Sequence, residues 1–118
     1  MSLTISLIYL SPYFDSINIE IGSDMFGFEI CRKELWGNQK LKNIGCKIIP
    51  KLEENDLYIL SDELEEIYQD SKTILKNITE ISLTTNYSEE FIRFRINNLI
   101  RFIEIALENK RNLGISIS

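Results

Sequence analysis

Apolar and polar residues alternate along the first third of the chain, which is the pattern of β-strands with one buried face. Residues 3–10 alternate in this way, and two further runs follow at residues 17–21 and 25–33. A short glycine-containing turn separates these two runs and indicates a β-hairpin. Residues 47–49 predict a further short strand that ends at a proline. Residues 57–60 fit either a strand or the approach to a helix.

In the second half, apolar residues recur every three or four positions, which predicts two helices. The first is predicted over residues 62–78, where Asp62 and Glu65 have the spacing of a capping box. A linker over residues 82–86 precedes the second and longer helix, which runs to about Lys110.

The second helix has an unusually wide apolar face. Asn86, Ser88 and the Glu89-Glu90 pair mark its start, and its apolar positions cover well over half of the helix circumference. A surface helix does not need so wide a face, so we expect it to pack on the sheet, on the first helix and on something more. Arg95 and Asn98 fall within or beside this face. We interpret them as polar groups bonded inside the protein to a carboxylate or to helix ends, with a buried recognition pair as the alternative.

Together these elements predict one α+β domain over residues 1–118. An N-terminal antiparallel sheet of three to four strands is followed by two C-terminal helices packed on it. A chain of 118 residues with 44% hydrophobic residues can bury enough surface for one core. No stretch approaches the roughly 20 apolar residues of a membrane span, and the first residues lack the basic start of a signal peptide. We interpret Cys31 and Cys46 as buried thiols of a reduced, cytoplasmic protein.

The negative charge of the chain has one local source. The formal net charge is −5 at pH 7, and the window of residues 51–70 alone contributes −7, because one lysine faces eight carboxylates. The carboxylates of this window are Glu53, Glu54, Asp56, Asp62, Glu63, Glu65, Glu66 and Asp70. A concentrated negative field attracts cationic partners and repels nucleic acid.

The sequence lacks the residues that several kinds of catalytic and ligand-binding site require. The chain has no histidine, which removes histidine bases, serine–histidine nucleophiles and nearly all zinc sites. Its five glycines are scattered and form no phosphate-binding loop. We therefore expect no enzymatic activity, no cofactor and no metal. Catalysis by a pair of carboxylates is the one enzymatic alternative left open.

The acidic window is the candidate site, as a surface for a basic protein partner. Loop acids precede the helix acids directly, so both sets can share one patch, with aromatic side chains as anchors. The simpler interpretation is the solvated face of an amphipathic helix. Arg93, Arg95 or Arg101 would cancel the field if the fold brought them alongside. We interpret as partner-binding residues the acids Glu53, Glu54, Asp56, Asp62, Glu63, Glu66 and Asp70 and the aromatic residues Tyr58 and Trp36.

In size, acidity and its isoleucine-, asparagine- and lysine-rich style, the chain resembles the small immunity proteins of bacterial contact-dependent growth inhibition and related polymorphic-toxin systems. Residues 85–93, TNYSEEFIR, lead into an apolar helix in the manner of that group. The resemblance implies a cytoplasmic inhibitor that binds the toxin domain of a large exported effector. Such toxins are often nucleases with basic clefts, which would suit an acidic surface.

A second function class stays open beside this one. The chain would then be a non-enzymatic interaction or assembly module, such as a homodimer formed through the C-terminal helix. That dimer would bury Phe94 and Phe102 between its subunits. The sequence leaves the oligomeric state undecided.

Overall fold

A computed structural model describes residues 1–11 and 21–118 of the chain. The strands of this part are β1 (Ser2–Tyr9), β2 (Met25–Phe28), β3 (Leu57–Ile59) and β4 (Leu113–Ile117). The α-helices are α1 (Gln39–Asn43), α2 (Glu63–Lys76), α3 (Ile78–Thr85) and α4 (Glu89–Glu108). A π-helical turn at Arg32–Trp36 and a 3-10 helix at Ile49–Glu53 complete the described elements. The predicted α+β class, with an antiparallel sheet and helices packed on it, is confirmed.

The four described strands form one antiparallel sheet in the order β2-β1-β4-β3. The last strand in chain order, β4, therefore lies in the interior of the sheet between β1 and β3. Its apolar side chains alternate with Gly114 and Ser116, and this period of two is a strand signal that the sequence prediction missed. Glycine is required at position 114, since a Cβ there would lie only 2.7 Å from the carbonyl oxygen of Ile59.

The helices cover one face of the sheet, and the wide apolar face of α4 has its explanation there. This helix contacts β1, β2 and β4 as well as α2 and α3. Its fully or largely buried residues are Ile92, Ile96, Asn98, Leu99, Phe102, Ile103 and Ala106. Ser88 caps the helix by accepting a hydrogen bond from the backbone N–H of Phe91 at 3.0 Å, so the predicted start is confirmed. None of the described helices is long and apolar enough to cross a lipid bilayer.

Asn98 is hydrogen-bonded inside the protein, but to residues 23–25 and to Arg101 rather than to a carboxylate or a helix end. The buried Asn98 amide donates to the carbonyl of Met25 at 2.8 Å and accepts a hydrogen bond from Arg101. Arg95 stacks its guanidinium 3.6 Å from the centre of the Phe91 ring, and burial lowers the pKa of Arg95. The Asn98 amide ties α4 to the start of β2, whereas the contacts of Arg95 with Phe91 and Phe94 stay within α4.

Some predicted elements are wrong, and one lies almost wholly outside the described residues. The strand predicted over residues 17–21 lies, apart from Ile21, outside the described residues. Residues 47–49 do not form a strand, and a 3-10 helix begins at Ile49 instead. The predicted linker over residues 82–86 belongs mostly to α3. Residues 57–60 resolve into strand β3, which covers Leu57–Ile59.

The predicted capping box at the start of α2 is also wrong. Asp62 has helical backbone angles and makes no side-chain cap hydrogen bond. The Glu65 carboxylate instead accepts a hydrogen bond from the Gln69 amide at 3.0 Å, one turn further along the same helix.

The carboxylate of Asp70 joins α2 to the segment that leads into the 3-10 helix. It accepts hydrogen bonds from the backbone N–H groups of Lys47 at 2.9 Å, Ile48 at 2.7 Å and Ile49 at 2.9 Å. Asp70 is only 4% exposed, and a buried carboxylate is tolerated where several donors satisfy its oxygens. This contact explains why the β-branched residues at 48 and 49 turn into a helix rather than extend.

We predict that Asp70→Asn destabilises the protein by about 2 kcal/mol, because hydrogen bonds to a charged acceptor become weaker ones to a neutral amide. The midpoint of urea unfolding measures the loss, with an unchanged m-value showing that the unfolding reaction is the same. Glu66→Gln on the exposed side of the same helix serves as the control and should change stability by no more than about 0.5 kcal/mol. A stable Asp70→Asn protein would contradict this role.

Candidate partner-binding surface

Five carboxylates of the acidic window are exposed and have no ion-pair partner among the described residues. Residues 12–20, which lie outside that description, contain no lysine or arginine that could pair with them. We call these five residues the acidic surface: Glu54, Asp62, Glu63, Glu65 and Glu66. All but Glu54 belong to the first turn and a half of α2 and the residue before it, so they are neighbours in space.

The arginines of α4 form no ion pair with this surface. Arg93 pairs with Glu89 on its own helix at 3.6 Å, and Arg95 is stacked on Phe91. Arg101 donates to Asn98 and, at 3.2 Å, to the carbonyl of Ile21. The cations that do neutralise part of the acidic window come from elsewhere in the chain.

Arg32 and Lys42 each neutralise one of the predicted contact acids. Arg32 forms ion pairs with both Asp56 and Glu29 and also donates to the carbonyl of Asn55 at 3.1 Å. Burial lowers the pKa of Arg32, but its hydrogen bonds to the two carboxylates outweigh that effect and raise the pKa above its ordinary value. Lys42 lies 3.7 Å from Glu53. Asp56 and Glu53 therefore contribute less to the outward field than the sequence suggested.

Lys47 divides the acidic surface into two parts. Its exposed side chain lines one shallow groove together with Glu54 and an adjoining groove together with Glu65 and Glu66. The loop acids and the helix acids thus flank the same stretch of surface, as the sequence suggested, but lysines lie among them, since Lys42 and Lys51 also line the groove of Glu54.

Two of the predicted partner-binding residues are not available to a partner, and for them the prediction is wrong. Asp70 is used inside the protein by the backbone N–H groups of residues 47–49. Trp36 is fully buried, with its ring stacked on Phe26 at a centroid distance of 4.3 Å. Its Nε1–H donates to the Phe26 carbonyl at 3.0 Å, so the whole side chain belongs to the core.

Tyr58 is the predicted aromatic anchor that remains exposed. It is the middle residue of edge strand β3 and is 64% exposed, and in the sequence it lies between the acids of the preceding loop and those of α2. Its ring lies on the sheet face of Ser116 and Ser6, opposite the face that the helices cover. Glu65 is exposed among these acids but is absent from the residues predicted from the sequence. Its exposed position one residue before Glu66 could have been inferred from the helical period.

The structure also gives a purely local reason for acids at this place. Negative side chains in the first turn of a helix interact favourably with the helix dipole by about 0.3–1 kcal/mol each. Asp62, Glu63, Glu65 and Glu66 all occupy such positions relative to α2. This local effect and partner binding are compatible, since the dipole acts on acids that remain exposed.

The thiols and carboxylates of the described residues form no group that could hold a metal ion. Cys31 and Cys46 are free and buried, as expected. Burial, reinforced by the nearby Asp70 carboxylate, raises the pKa of the Cys46 thiol to about 12. Cys46 therefore stays protonated at neutral pH and lacks the thiolate that reactive cysteines require.

The chain matches no protein-family model, no curated protein and no solved structure at a significant level. A proposed function therefore depends on the geometry of the acidic surface and on the resemblance to immunity proteins.

We predict that the fluorescence of Trp36, the sole tryptophan, is poorly quenched by acrylamide in the native protein. The ring is fully buried, so a neutral quencher cannot reach it without local unfolding. Stern–Volmer constants measured before and after unfolding in urea should differ several-fold. Equal constants in the two states would restore Trp36 as a candidate for the surface.

Proposed function

We propose that this protein is a non-enzymatic inhibitor that binds a cationic surface of a toxin domain and neutralises it. The observation that carries the proposal is the set of exposed carboxylates at the start of α2, for which the described chain supplies no ion-pair partner. The toxin as partner follows from the resemblance to immunity proteins. The inhibitor would act in the bacterial cytoplasm, where a nuclease toxin would otherwise reach its substrate.

Charge complementarity explains how such a surface would work. A basic cleft that binds phosphates can accept carboxylates in the same places, and opposite potentials accelerate encounter of the two proteins. Exposed ion pairs contribute little affinity one at a time, so an aromatic residue at the edge of the surface is needed as an anchor. Tyr58 is the candidate anchor, since it is largely exposed on the strand that connects the acidic loop to α2.

We predict that the triple variant Asp62→Lys, Glu63→Lys, Glu66→Lys loses on the order of 100-fold in affinity for the toxin domain. The matched control reverses three exposed acids of α4, Glu90, Glu104 and Glu108, and so changes the net charge equally. Calorimetric titrations at two salt concentrations measure the effect, and the wild-type affinity should fall as salt rises.

The test begins with a search for a large exported protein encoded immediately upstream of the chain, because its C-terminal domain is the expected partner for this titration. Coexpression in a bacterial host adds a second readout, since wild type and control should restore growth while the α2 triple variant should not. Equal affinities of the two triple variants, or no protection by the wild type, would contradict the proposed function.

Exposed apolar side chains in and just after β2 and on α4 favour assembly as a second candidate function. Met25, Phe28, Ile30 and Phe94 are each between 46% and 58% exposed, and Phe28 contacts Phe91 on α4. Phe102 is only 5% exposed, so a homodimer through α4 would use Phe94 and β2 instead of the predicted pair.

Sedimentation velocity separates the two functions. The inhibitor is expected to sediment as a single 13.8 kDa chain at micromolar concentration. An assembly module would sediment at twice that mass, and Phe94→Asp would return it to a monomer because a charge cannot be buried unpaired at the interface. The α2 triple variant is the control that should leave such a dimer intact.

A further inference from the structure

The outer side of strand β3 carries backbone groups that nothing in the described chain uses. Thr4 and Ser118 exchange both of their backbone hydrogen bonds, at 2.7 and 3.1 Å. In an antiparallel pair the bonded residues alternate, so Ser116 and Gly114 also bond to β1, and Ile117 and Ile115 bond to β3. The backbone N–H and C=O groups of Leu57 and Ile59 therefore point toward β4. Those of Tyr58 point the other way, to the open edge of the sheet.

The opposite edge of the sheet is closed. In β2 the carbonyl of Met25 accepts a hydrogen bond from the Asn98 side chain at 2.8 Å. The carbonyl of Phe26 accepts one from the Trp36 indole at 3.0 Å. Side chains thus block β2 as a template for another strand, whereas β3 has no lysine or proline of the kind that protects sheet edges.

The negative charge near β3 determines which kind of strand could pair with it. The unpaired acids Glu54 and Asp62 each lie four residues from Tyr58, and Glu63 lies five residues from it, whereas the nearer Asp56 is paired with Arg32. A second copy of the chain added antiparallel at this edge would bring acids against acids, which is unfavourable. An extended segment with lysine or arginine side chains would bring cations against the same carboxylates.

We propose that β3 is a docking edge that accepts an extended, cationic segment of a protein partner as a fifth strand of the sheet. The added strand would exchange two hydrogen bonds with the Tyr58 backbone and lay its side chains against the exposed Tyr58 ring. This inference deepens the proposed function and rests on it, because it names the form in which the cationic partner engages the acidic surface.

The probe is an acetylated and amidated peptide of four Lys-Val repeats, compared with the same peptide N-methylated at every second residue. Both have the same charge, but the methylated peptide cannot donate along one edge. We expect the parent peptide to bind at least tenfold more tightly in calorimetry. We also expect hydrogen exchange of the Tyr58 amide, followed by NMR, to slow at least tenfold when the parent peptide is added.

Protein variants separate the backbone of Tyr58 from its side chain. Tyr58→Ala removes the ring and keeps the N–H, whereas Tyr58→Pro removes both, and proline is accepted on edge strands. The proline variant should bind the parent peptide at least tenfold more weakly than the alanine variant. If the proline variant does not fold, the two peptides and the exchange rate of the wild-type protein still decide.

Three results would overturn the docking edge. Equal binding of the two peptides with unchanged Tyr58 exchange would mean that cations are held by charge alone, and the proposed function would stand without strand addition. If neither peptide binds, β3 is not a docking edge for cationic segments. The growth test with the toxin domain would then test the proposed function independently. Protection of Tyr58 that rises with protein concentration alone would assign the edge to a second copy.

Discussion

The buried carboxylate of Asp70 is the contact on which the geometry of the acidic surface depends. It fixes α2 to residues 47–49, and the chain then passes through the 3-10 helix into β3. The loop that carries Glu54 is therefore fixed relative to the helix that carries Glu63 and Glu66, both by the Asp70 contact and by the chain connection through β3. A carboxylate can do this in the interior because backbone N–H groups, which need acceptors in any case, satisfy it.

The acids of residues 51–70 thus have three different roles in the structure. One is buried as an acceptor for backbone groups, two are paired with cations from distant parts of the chain, and the rest remain exposed. Arg32 is the clearest example of a distant partner, because it joins the end of β2 to the start of β3 through Glu29 and Asp56. A sum of formal charges treats all of these groups alike, whereas the outward field is set by the exposed group alone.

How far the sequence predicts this structure depends on whether a feature is local. The strand β1 and the start of α4 at Ser88 follow from alternation and from cap chemistry, and both are confirmed. The burial of Trp36 depends on stacking with Phe26 and could not be inferred from its turn-like neighbours. The helix at Ile49 depends on Asp70, which is distant in sequence. Asp70 itself lay within reach of prediction, since it is spaced by three from Ile67 and by four from Ile74, both of them buried.

The interior position of β4 has a consequence for how the molecule forms. Ile5 pairs with Ile117, so the sheet joins residues from almost opposite ends of the described chain. During synthesis neither β1 nor β3 can pair with β4 until β4 has been made. Pairing between residues so far apart in sequence slows folding. Until then the apolar sides of both strands are open to the chaperones and proteases of the cell. An inhibitor built on this topology would reach its active form only after β4 had left the ribosome.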